Sequence, residues 1–520
     1  MNQKNDEKER EMLMRKPLYS KNIKVTDEQL FAHAENAEYC NAHKHCHYSN
    51  VLMTDSVAKP IDYFNRAIEL KHTTVFTTQH GLVLGFYEYY DLCNQLDELI
   101  EKIVKVLDDK EKLEELVKQT KTPFSIGKLI GNLQLDKNYR IKYRFGCEIY
   151  FTTDSRNKQM YHLLLLAKNK KGSEDITELV SDCVFDDANY RNKRPKVTLE
   201  NLLQLSKDDI VVSTACLASY INRLKPQLPD SNIGKIEQEL FARSGEIEQV
   251  EEIKEDEFVE TLDDDELTRI LAEHFGESFF IEMQNHETEK QIEYNKRCLE
   301  LSRKYDIALF AGIDSHAVNQ DQVEMRDHYL RAKGIIYEEE SGWYLTYDSY
   351  IENVERFKKQ GVMTNEEIYC AMENTKVCLD FEEITYDQTT RKIPTIYPEL
   401  TQEERNQKYR DLIQEKWLEY KKEVPEERWE EYEREIDFEV ETITSTNVSD
   451  YFLFNYELIK RSVAKGGIIT RSGRGSAPSY LTNFFLGFTN IDRIKADVKM
   501  FPTRFLTADR ILAGSLPDID

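Results

Sequence analysis

The sequence predicts an α/β fold followed by a mainly helical segment, and three observations lead to this prediction. From about residue 38 to residue 320, short apolar runs alternate with longer amphipathic stretches, which is typical of strands connected by helices. Residues 350–460 are rich in Glu, Lys, Tyr and Arg and space their apolar residues by three and four, as amphipathic helices do. The length of 520 residues allows roughly three domains.

Six apolar runs of strand length define the predicted sheet. Each is short enough for a buried strand and lies between polar or turn-forming residues. Most of them contain, or end on, a residue that can bind a metal ion. The runs are residues 73–81, 145–152, 161–169, 209–218, 277–286 and 307–316.

The overall composition excludes several protein classes. The net charge is −26, from 70 Lys and Arg against 96 Asp and Glu, and such an acidic chain is not an obvious nucleic-acid binder as a whole. No apolar run approaches the roughly 18 residues of a membrane span, and the N-terminus has no apolar signal segment. The nine cysteines show no paired spacing, which argues against a disulfide framework. We therefore expect a cytoplasmic protein that does not contact a membrane.

The charge is distributed unevenly along the chain. Residues 246–266 are strongly acidic, and we expect a solvated helical insertion or a flexible loop at about residues 240–268. Residues 461–510 reverse the balance, with nine Lys and Arg against three Asp. This local excess of positive charge suits a polyanionic substrate such as DNA.

The first candidate site begins in the segment NAHKHCHYSN, where His43, His45 and His47 alternate. On an extended segment the three imidazoles would share one face, and a His-x-His pair before a turn commonly binds a metal ion. For this motif alone, a surface cluster of polar residues remains an equally open interpretation. Further metal-binding residue types accompany the predicted strands. They are His80, Glu148, His162, Cys216, Asp314 and His316.

Taken together, these strand-associated residues predict a metal site. In a barrel of parallel strands, the carboxyl ends of the strands form the active-site face. Nitrogen, oxygen and sulfur ligands suit zinc or manganese, and several carboxylates favour more than one ion. Such a cluster could activate a water molecule and bind a phosphoester oxygen. Taken singly, each histidine or cysteine is more often a satisfied core residue.

The second candidate site is the small-residue loop GGIITRSGRGSAPSYL, residues 466–481, with the acidic pair that follows it. Glycines let a backbone approach phosphate closely, and arginine adds a bidentate donor. A helix starting near residues 477–479 would add a favourable field for anions. Asp518 and Asp520 stand at i and i+2, so an extended backbone directs both toward one place. The loop alone is more often a turn, but the loop and the acids together predict nucleotidyl transfer with two divalent cations.

The motifs of the first part resemble a known domain. In sequence order, HKHCHYS, Asp55, TTQHG, GCEIY, YHLLLLAKN, STACL and DSHA are similar to the PHP (polymerase and histidinol phosphatase) domain, and more narrowly to the PHP domain of bacterial-type C-family replicative DNA polymerases. The resemblance implies a distorted β/α barrel, zinc or manganese ions and a metal-dependent 3′–5′ exonuclease activity. It also implies nine metal ligands. They are His43, His45, Asp55, His80, Glu148, His162, Cys216, Asp314 and His316.

The chain departs from the PHP pattern at two places. Gln79 stands where the family usually has an aspartate, and we expect the neutral side chain to hold the neighbouring His80 less firmly. Loss of such a supporting carboxylate typically costs about 10–100-fold in metal affinity or activity. A short insertion precedes Asp55. Three further residues are interpreted as structural or incidental, namely Cys46, His47 and His286.

The last part of the chain resembles the palm of the same C-family polymerases. Residues 449–459, 473–477 and 516–520 are similar to the helix before the nucleotide-binding loop, the loop itself and the first two of three catalytic aspartates. The resemblance implies loop residues that hold a deoxynucleoside triphosphate and aspartates that hold Mg²⁺. The loop residues are Gly473, Arg474, Gly475 and Ser476, and the aspartates are Asp518 and Asp520.

The resemblance implies the N-terminal portion of a DNA-directed DNA polymerase. In this family the chain continues beyond the second aspartate, so we expect a split gene, an intein, an intron or a truncation after Asp520. We expect the chain alone to lack polymerase activity and to need the remaining C-terminal part, primer-template DNA and deoxynucleotides. A sliding clamp would bind through that remaining part. Two other interpretations remain open: a stand-alone PHP phosphoesterase and a PHP module with a purely structural role.

These interpretations divide the chain into three parts. A polar extension covers residues 1–35, the PHP domain covers residues 36–335, and the beginning of a polymerase palm covers residues 336–520. The predicted fold class is thus a PHP-type distorted β/α barrel, then a mainly helical segment, then an incomplete nucleotidyltransferase-like palm.

Overall fold

The structure is a computed structural model, and it describes most of the chain. The described residues are 15–186, 188–191, 194–223, 262–337, 342–386, 393–468 and 475–519. Most of the predicted acidic insertion lies outside these ranges, as do Gly473, Arg474 and Asp520. The chain forms two compact units, Met1–Thr385 and Tyr386–Asp520.

Within its described residues, the first unit contains one sheet of eight strands. The strands are β1 (Thr74–Thr77), β2 (Lys142–Thr152), β3 (Tyr161–Ala167), β4 (Tyr190–Arg191), β5 (Arg194–Thr198), β6 (Ile210–Ser213), β7 (Phe279–Met283) and β8 (Ala308–Ala311). Their order across the sheet is β4-β5-β2-β3-β6-β7-β8, and β1 pairs with β2. Each of the six predicted runs contains one strand, so the predicted strand positions are confirmed.

Two strands of this sheet, β3 and β4, run opposite to their neighbours. β1 and β5 are parallel to β2, and β7 is parallel to both β6 and β8. β3 is antiparallel to β2 and to β6, and β4 is antiparallel to β5, so the assumption of parallel strands throughout is wrong for β3 and β4. Because β3 is reversed, its first residues lie at the edge where β2 and β6 end, with His162 opposite Tyr150.

The segment that contains the first histidines connects the two ends of the curled sheet. Lys44 forms a parallel bridge with Ser315, just beyond β8, and the His45 N–H donates to the Ser315 carbonyl at 2.8 Å. On its other side, the Lys44 N–H donates to the hydroxyl of Thr78, just beyond β1, at 3.1 Å. These contacts give the α/β barrel architecture that the sequence predicts.

The strands are buried along nearly their whole length. β1, β6, β7 and β8 contain only buried residues, which is the pattern of strands covered on both faces. Large side chains form a buried core cluster, among them Phe76, Leu164, Phe280 and Phe310, and Leu164 and Phe310 lie directly opposite Glu148 and Glu282 in the sheet. The rigid sheet therefore provides fixed positions for side chains at its edge.

Helices surround this sheet, and side-chain caps begin several of them. Thr26, Ser349 and Thr364 each form a capping box with the residue three positions ahead, which satisfies backbone donors at the helix start. The helices are α1 (Asp27–Ala34), α2 (Pro60–Leu70), α3 (Phe86–Val106), α4 (Lys110–Gln119), α5 (Ile126–Leu135), α6 (Lys170–Phe185), α7 (Leu199–Leu202), α8 (Tyr220–Arg223), α9 (Asp264–Phe275), α10 (Glu289–Tyr305), α11 (Gln320–Ala332), α12 (Tyr350–Gln360) and α13 (Asn365–Asn374).

The second unit is helical. Its helices are α14 (Gln402–Tyr420), α15 (Trp429–Ser445), α16 (Ser449–Ala464), α17 (Leu481–Phe485) and α18 (Ala508–Leu512). The helical reading of residues 350–460 is thus confirmed. The helices pack around an aromatic core in which the rings of Trp417 and Tyr432 stack with centroids 5.3 Å apart.

The described residues of the second unit contain no strand, and residues 515–519 are neither helix nor strand. A strand needs a neighbour to satisfy its backbone groups, and within 393–468 and 475–519 no such neighbour is present. Asp518 therefore lies in an irregular segment. Across the described parts of both units, no helix is long and apolar enough to cross a bilayer.

Candidate metal centre and candidate nucleotide site

Glu148, near the end of β2, stands at the middle of a buried cluster. Its Oε1 lies 2.9 Å from His162 Nδ1 and 3.2 Å from His43 Nε2. Its Oε2 lies 2.6 Å from His80 Nδ1 and 3.3 Å from His45 Nε2. One carboxylate thus faces four imidazoles that come from three separate segments of the chain.

Asp314 provides a second shared carboxylate. Its Oδ1 lies 3.2 Å from the Nε2 atoms of both His45 and His316, and 3.4 Å from His43 Nε2. The backbone of Asp314 is left-handed, with φ 51°, a conformation that aspartate tolerates better than most residues. This turn directs the carboxylate toward the three imidazoles.

Asp55 reaches the same cluster despite the insertion that precedes it. Its Oδ2 lies 2.6 Å from His80 Nε2 and 3.6 Å from His316 Nδ1. The loop is fixed by Asn50, whose Oδ1 accepts the N–H groups of Asp55 and Ser56 at 3.0 and 3.1 Å. The added residues are therefore accommodated in the loop, and the carboxylate remains buried.

Cys216 lies on the other side of the cluster, beyond the end of β6. Its Sγ is 3.7 Å from both Glu148 Oε1 and His162 Nδ1. The preceding Ala215 has φ 56°, a strained value for a residue with a Cβ. Burial and the charge of Glu148 raise the pKa of Cys216 well above its usual value, so a bound cation is what would favour the thiolate here.

Three groups of residues have the spacing that one metal ion requires. In each group, one ligand atom per residue lies within 4.8 Å of the others. His45 belongs to the first and second groups, and Glu148 belongs to the second and third. Ions bound in neighbouring groups would therefore lie side by side. The groups are His43–His45–Asp314, His45–His80–Glu148 and Glu148–His162–Cys216.

Several atoms that face this cluster have no hydrogen-bond partner. They include Nε2 of His43 and of His45, Nδ1 of His80, Oε2 of Glu148 and Oδ1 of Asp314. Buried polar atoms normally have partners, and unsatisfied ones are costly in a low-dielectric interior. Lone pairs that converge without hydrogen-bond geometry suit divalent cations, so the residues present fit a metal centre.

Charge compensation within the cluster is strong. Burial would lower the pKa of His80, but Asp55 and Glu148 raise it to about 10. Asp55 and Asp314 likewise outweigh burial and raise the pKa of His316 to about 9. Although burial alone would raise the pKa of Glu148 and of Asp314, the imidazoles hold both well below the usual range. Divalent cations would take over this compensation from protons.

Gln79 is linked to the histidines of the cluster through Ser49. Its Oε1 accepts the Ser49 hydroxyl at 2.8 Å and the Cys46 N–H at 3.0 Å. The same Ser49 Oγ lies 3.1 Å from Nδ1 of His45. Ser49 Oγ also accepts the His80 N–H at 3.3 Å, so Gln79 is linked through Ser49 to both histidines. The expected looser hold on His80 stays a prediction.

Three residues that were interpreted as structural lie outside the three groups. His47 begins the turn His47–Val51, so it leaves the face that His43 and His45 share. Cys46 is buried. The ring of His286 stacks on Trp343 with centroids 5.1 Å apart, and burial lowers the pKa of His286 to about 4.

Sequence reasoning missed Glu282, a buried acid of β7. Its Oε1 lies 2.7 Å from Nδ1 of His43, on the side of the ring that faces away from Glu148. The available signal was an acid within the otherwise apolar run FFIEM. A carboxylate in a fully buried strand needs a specific partner.

The candidate nucleotide loop is described only in part. Gly475 is exposed and has φ 74°, a conformation that favours glycine. Ser476 begins the turn that follows, and its carbonyl accepts the Ser479 N–H at 3.0 Å. Gly473 and Arg474 lie outside the described residues, so the contacts that the sequence assigns to them stay predictions.

A 3-10 helix at Ala477–Ser479 follows the loop, at the place where the sequence suggested that a helix starts. Helix α17 begins only at Leu481, and the N–H groups of Leu481 and Thr482 donate to the two carboxylate oxygens of Glu439 at 2.8 Å each. Arg493 donates to Glu439 Oε1 at 2.7 Å. The buried carboxylate of Glu439, from α15, thus occupies the start of α17. The anion site that the sequence suggested near residues 477–479 stays a prediction.

Asp518 lies on the surface of the second unit. The residue before it, Pro517, is buried, and its carbonyl accepts the Tyr451 hydroxyl at 2.7 Å. Burial, and then the nearby charge of Asp518, raise the pKa of Tyr451. Helix α16 thus anchors the backbone next to Asp518, while Asp520 lies outside the described residues.

Two family models match the chain, one in each unit. The PHP domain matches residues 42–286, and the bacterial DNA polymerase III alpha NTPase domain matches residues 407–520. The first range includes seven of the nine predicted ligands, and Asp314 and His316 lie beyond it.

Curated relatives match across both units. The DNA polymerase III subunit alpha of Aquifex aeolicus (strain VF5) is 27% identical over 459 residues, which cover 80% of this chain and 35% of the relative. That of Chlamydia pneumoniae is 23% identical over 527 residues, which cover 92% and 36%. The DNA-directed DNA polymerase of Bacillus phage SPbeta is 22% identical over 301 residues, which cover 56% and 19%. The chain spans about a third of the length of the two alpha subunits.

Proposed function

We propose that this chain forms the N-terminal part of a DNA-directed DNA polymerase of the C family. The chain joins a PHP domain to a bacterial DNA polymerase III alpha NTPase domain. The observation that carries the proposal is the presence of both domains, in this order, in one chain whose alpha-subunit relatives align across most of it. A phosphoesterase that acts alone has no need of the second domain.

In the second unit, we assign nucleotide binding to Gly473, Arg474, Gly475 and Ser476, and catalysis to Asp518 and Asp520. Two Mg²⁺ ions supply electrostatic stabilisation of the transferring phosphoryl group when they are bound. The exposure of Asp518 and the anchoring of the preceding carbonyl by Tyr451 support a role in contact with a ligand. The partners proposed are primer-template DNA, deoxynucleotides and the remaining polymerase, with a sliding clamp bound through that remainder.

In the first unit, we propose that the nine residues of the cluster hold zinc or manganese. The mixture of imidazole, carboxylate and thiol donors supports these metals over magnesium. When bound, the cations supply Lewis-acid chemistry for phosphodiester hydrolysis. The chain's own part is to converge buried donors on the ions, with Glu148 and Asp314 each facing several imidazoles. We assign 3′–5′ exonuclease activity to this site.

A second candidate is hydrolysis by the first unit without help from the second. All nine residues belong to the unit Met1–Thr385 and are described there, which favours a site that is complete within one unit. The division into residues 1–35, 36–335 and 336–520 stays a proposal, and it assigns residues 336–385 of the first compact unit to the palm.

Primer extension by the native polymerase tests the main proposal. The native protein that contains this chain should extend a primer with deoxynucleotides, and Asp518→Asn should reduce incorporation by orders of magnitude while 3′-end hydrolysis persists. A native protein that hydrolyses 3′ ends and never incorporates nucleotides would favour the second candidate. Loss of hydrolysis in His45→Ala, with incorporation retained, would assign the two activities to separate units.

A further inference from the structure

We propose that Glu282 is a positioning residue that fixes the ring of His43, so that its Nε2 faces the metal-binding cluster. The inference rests on the proposed metal-binding function of the first unit. It adds a residue outside the nine predicted ligands and gives that residue a different task from theirs.

The hydrogen bond between the two side chains carries the argument. Glu282 is fully buried, and its Oε1 lies 2.7 Å from His43 Nδ1, a separation typical of a charge-assisted bond. An ionised carboxylate can only accept, so this contact keeps the proton on Nδ1. The lone pair needed for a cation is then on Nε2, which lies 3.2 Å from Glu148 Oε1 and 3.4 Å from Asp314 Oδ1.

Glu282 is itself held in place by its neighbours. Gln284 Nε2 donates to its Oε1 at 2.9 Å, and the Ser213 hydroxyl donates to its Oε2 at 3.2 Å. The chain also leaves room for the carboxylate at Gly312, where an added Cβ would lie 2.1 Å from Glu282 Cδ. A side chain at that position would displace the carboxylate, so the glycine and the acid form one arrangement.

Glu282 and Glu148, the two acids on either side of His43, differ in whether their carboxylate oxygens have hydrogen-bond partners. Both oxygens of Glu282 accept hydrogen bonds, whereas Oε2 of Glu148 has no hydrogen-bond partner. Glu282 is also absent from the three groups of candidate ligands. A satisfied carboxylate next to a ligand histidine is the arrangement that orients metal-bound imidazoles in other proteins. Glu148 is thus placed to bind ions, and Glu282 is placed to orient a histidine.

Zinc titration of the whole chain in the absence of DNA tests this assignment. The affinity for Zn²⁺, measured by competition with a chromophoric chelator, should fall about 10–100-fold in Glu282→Gln. Glu439→Gln, which changes an equally buried acid of the second unit, is the matched control and should bind Zn²⁺ as the unchanged chain does. Circular dichroism checks that each variant folds.

A double-mutant cycle with His43→Ala separates positioning from a general structural effect. If Glu282 acts through His43, Glu282→Gln should cost no further affinity once the histidine is absent. Equal losses in both backgrounds would overturn the proposal, as would wild-type affinity in Glu282→Gln itself. If Glu282→Gln does not fold, Gly312→Ala, which displaces the same carboxylate without removing its charge, takes its place in the cycle. Failure of the unchanged chain to bind Zn²⁺ or Mn²⁺ would instead overturn the metal site and the inference with it.

Discussion

The two candidate sites of this chain differ in how their residues are held. In the first unit, nine residues from separate segments converge in the protein interior, and most of them contact one another directly. In the second unit, Gly475 and Asp518 are exposed and Ser476 is half-buried. The Tyr451 hydroxyl of α16 donates to the Pro517 carbonyl next to Asp518. The first site is therefore already assembled within its unit, whereas the second is presented at a surface.

This difference follows from the elements that carry each site. Residues at the ends of buried strands inherit the rigidity of the sheet, so they can be placed precisely enough for metal coordination. Residues on loops and irregular segments depend on further contacts for their final geometry. We infer that the first unit can bind metal by itself and that the second needs DNA, nucleotide or further polypeptide to complete its site.

The largest expected effect comes from Glu148→Gln, which would break the first site. Glu148 is shared by two of the three candidate groups, and its charge compensates four imidazoles. We expect metal content, measured by elemental analysis after dialysis, to fall sharply and Mn²⁺-dependent hydrolysis of 3′-labelled single-stranded DNA to be lost. Glu287→Gln, which changes a partly exposed acid paired with Lys359, should retain both. Wild-type metal content in Glu148→Gln would remove this residue from the centre.

Asp518→Asn is expected to have the next largest effect, and only in the second site. In the complete polymerase, loss of this carboxylate should reduce nucleotide incorporation by orders of magnitude, because it would no longer help to hold the cations of phosphoryl transfer. Because Asp518 is exposed, thermal unfolding should be unchanged. Asp509→Asn, another exposed acid of the same unit, serves as the control. Near-normal primer extension by Asp518→Asn would exclude it from catalysis.

Glu439→Gln should destabilise the second unit and leave the first unit intact. The buried carboxylate satisfies two backbone N–H groups and Arg493, and breaking such a buried pair costs about 3–5 kcal/mol. In urea unfolding, the transition of the second unit should move to lower urea, with Zn²⁺ affinity unchanged. Glu435→Gln, which removes a partly exposed partner of the same arginine, should cost less than about 1 kcal/mol. A loss of metal affinity in Glu439→Gln would show that the units do not act separately.

Gln79→Ala should have the smallest effect of this set. Removal of the amide leaves the Ser49 hydroxyl without its acceptor and orients His45 less firmly, while the contacts of His80 with Asp55 and Glu148 remain. We expect Zn²⁺ affinity to fall by about tenfold, at the low end for a supporting residue. Gln79→Glu, which offers a charged acceptor, should raise the affinity instead. Identical affinities in all three proteins would show that the hydrogen bonds from Gln79 through Ser49 to His45 have no influence on metal binding.

Much of the fold could be predicted from local pattern. The apolar runs predicted six strands at the correct places, and the spacing of apolar residues predicted the helices between residues 350 and 460. The direction of β3 could not be predicted, because the hydrophobic pattern of a strand is the same in either direction. That reversal is what brings His162 to the edge where the neighbouring strands end.

The less predictable features all depend on contacts between distant residues. Glu282 and His43 are separated by 239 positions, and no local pattern indicates that pair. The hydrogen bonds of Gln79 with residues 46–49 depend on how that turn folds back. Likewise, Glu439 accepts hydrogen bonds from the first N–H groups of α17, although it lies in a helix more than forty positions earlier in the chain. The sequence allowed the candidate residues and their order to be predicted. Which buried polar groups pair with one another could be seen only in the folded structure.

Anomalous diffraction from crystals of the 520-residue chain grown with Mn²⁺ or Zn²⁺ tests the central claim most directly. The account predicts anomalous peaks inside the first unit, bounded by the imidazoles of His43, His45, His80 and His162 and the carboxylates of Glu148 and Asp314, at the distances of about 2.0–2.2 Å typical of zinc with nitrogen and oxygen. Peaks confined to surface acids, with the buried cluster free of metal at saturating concentration, would contradict it.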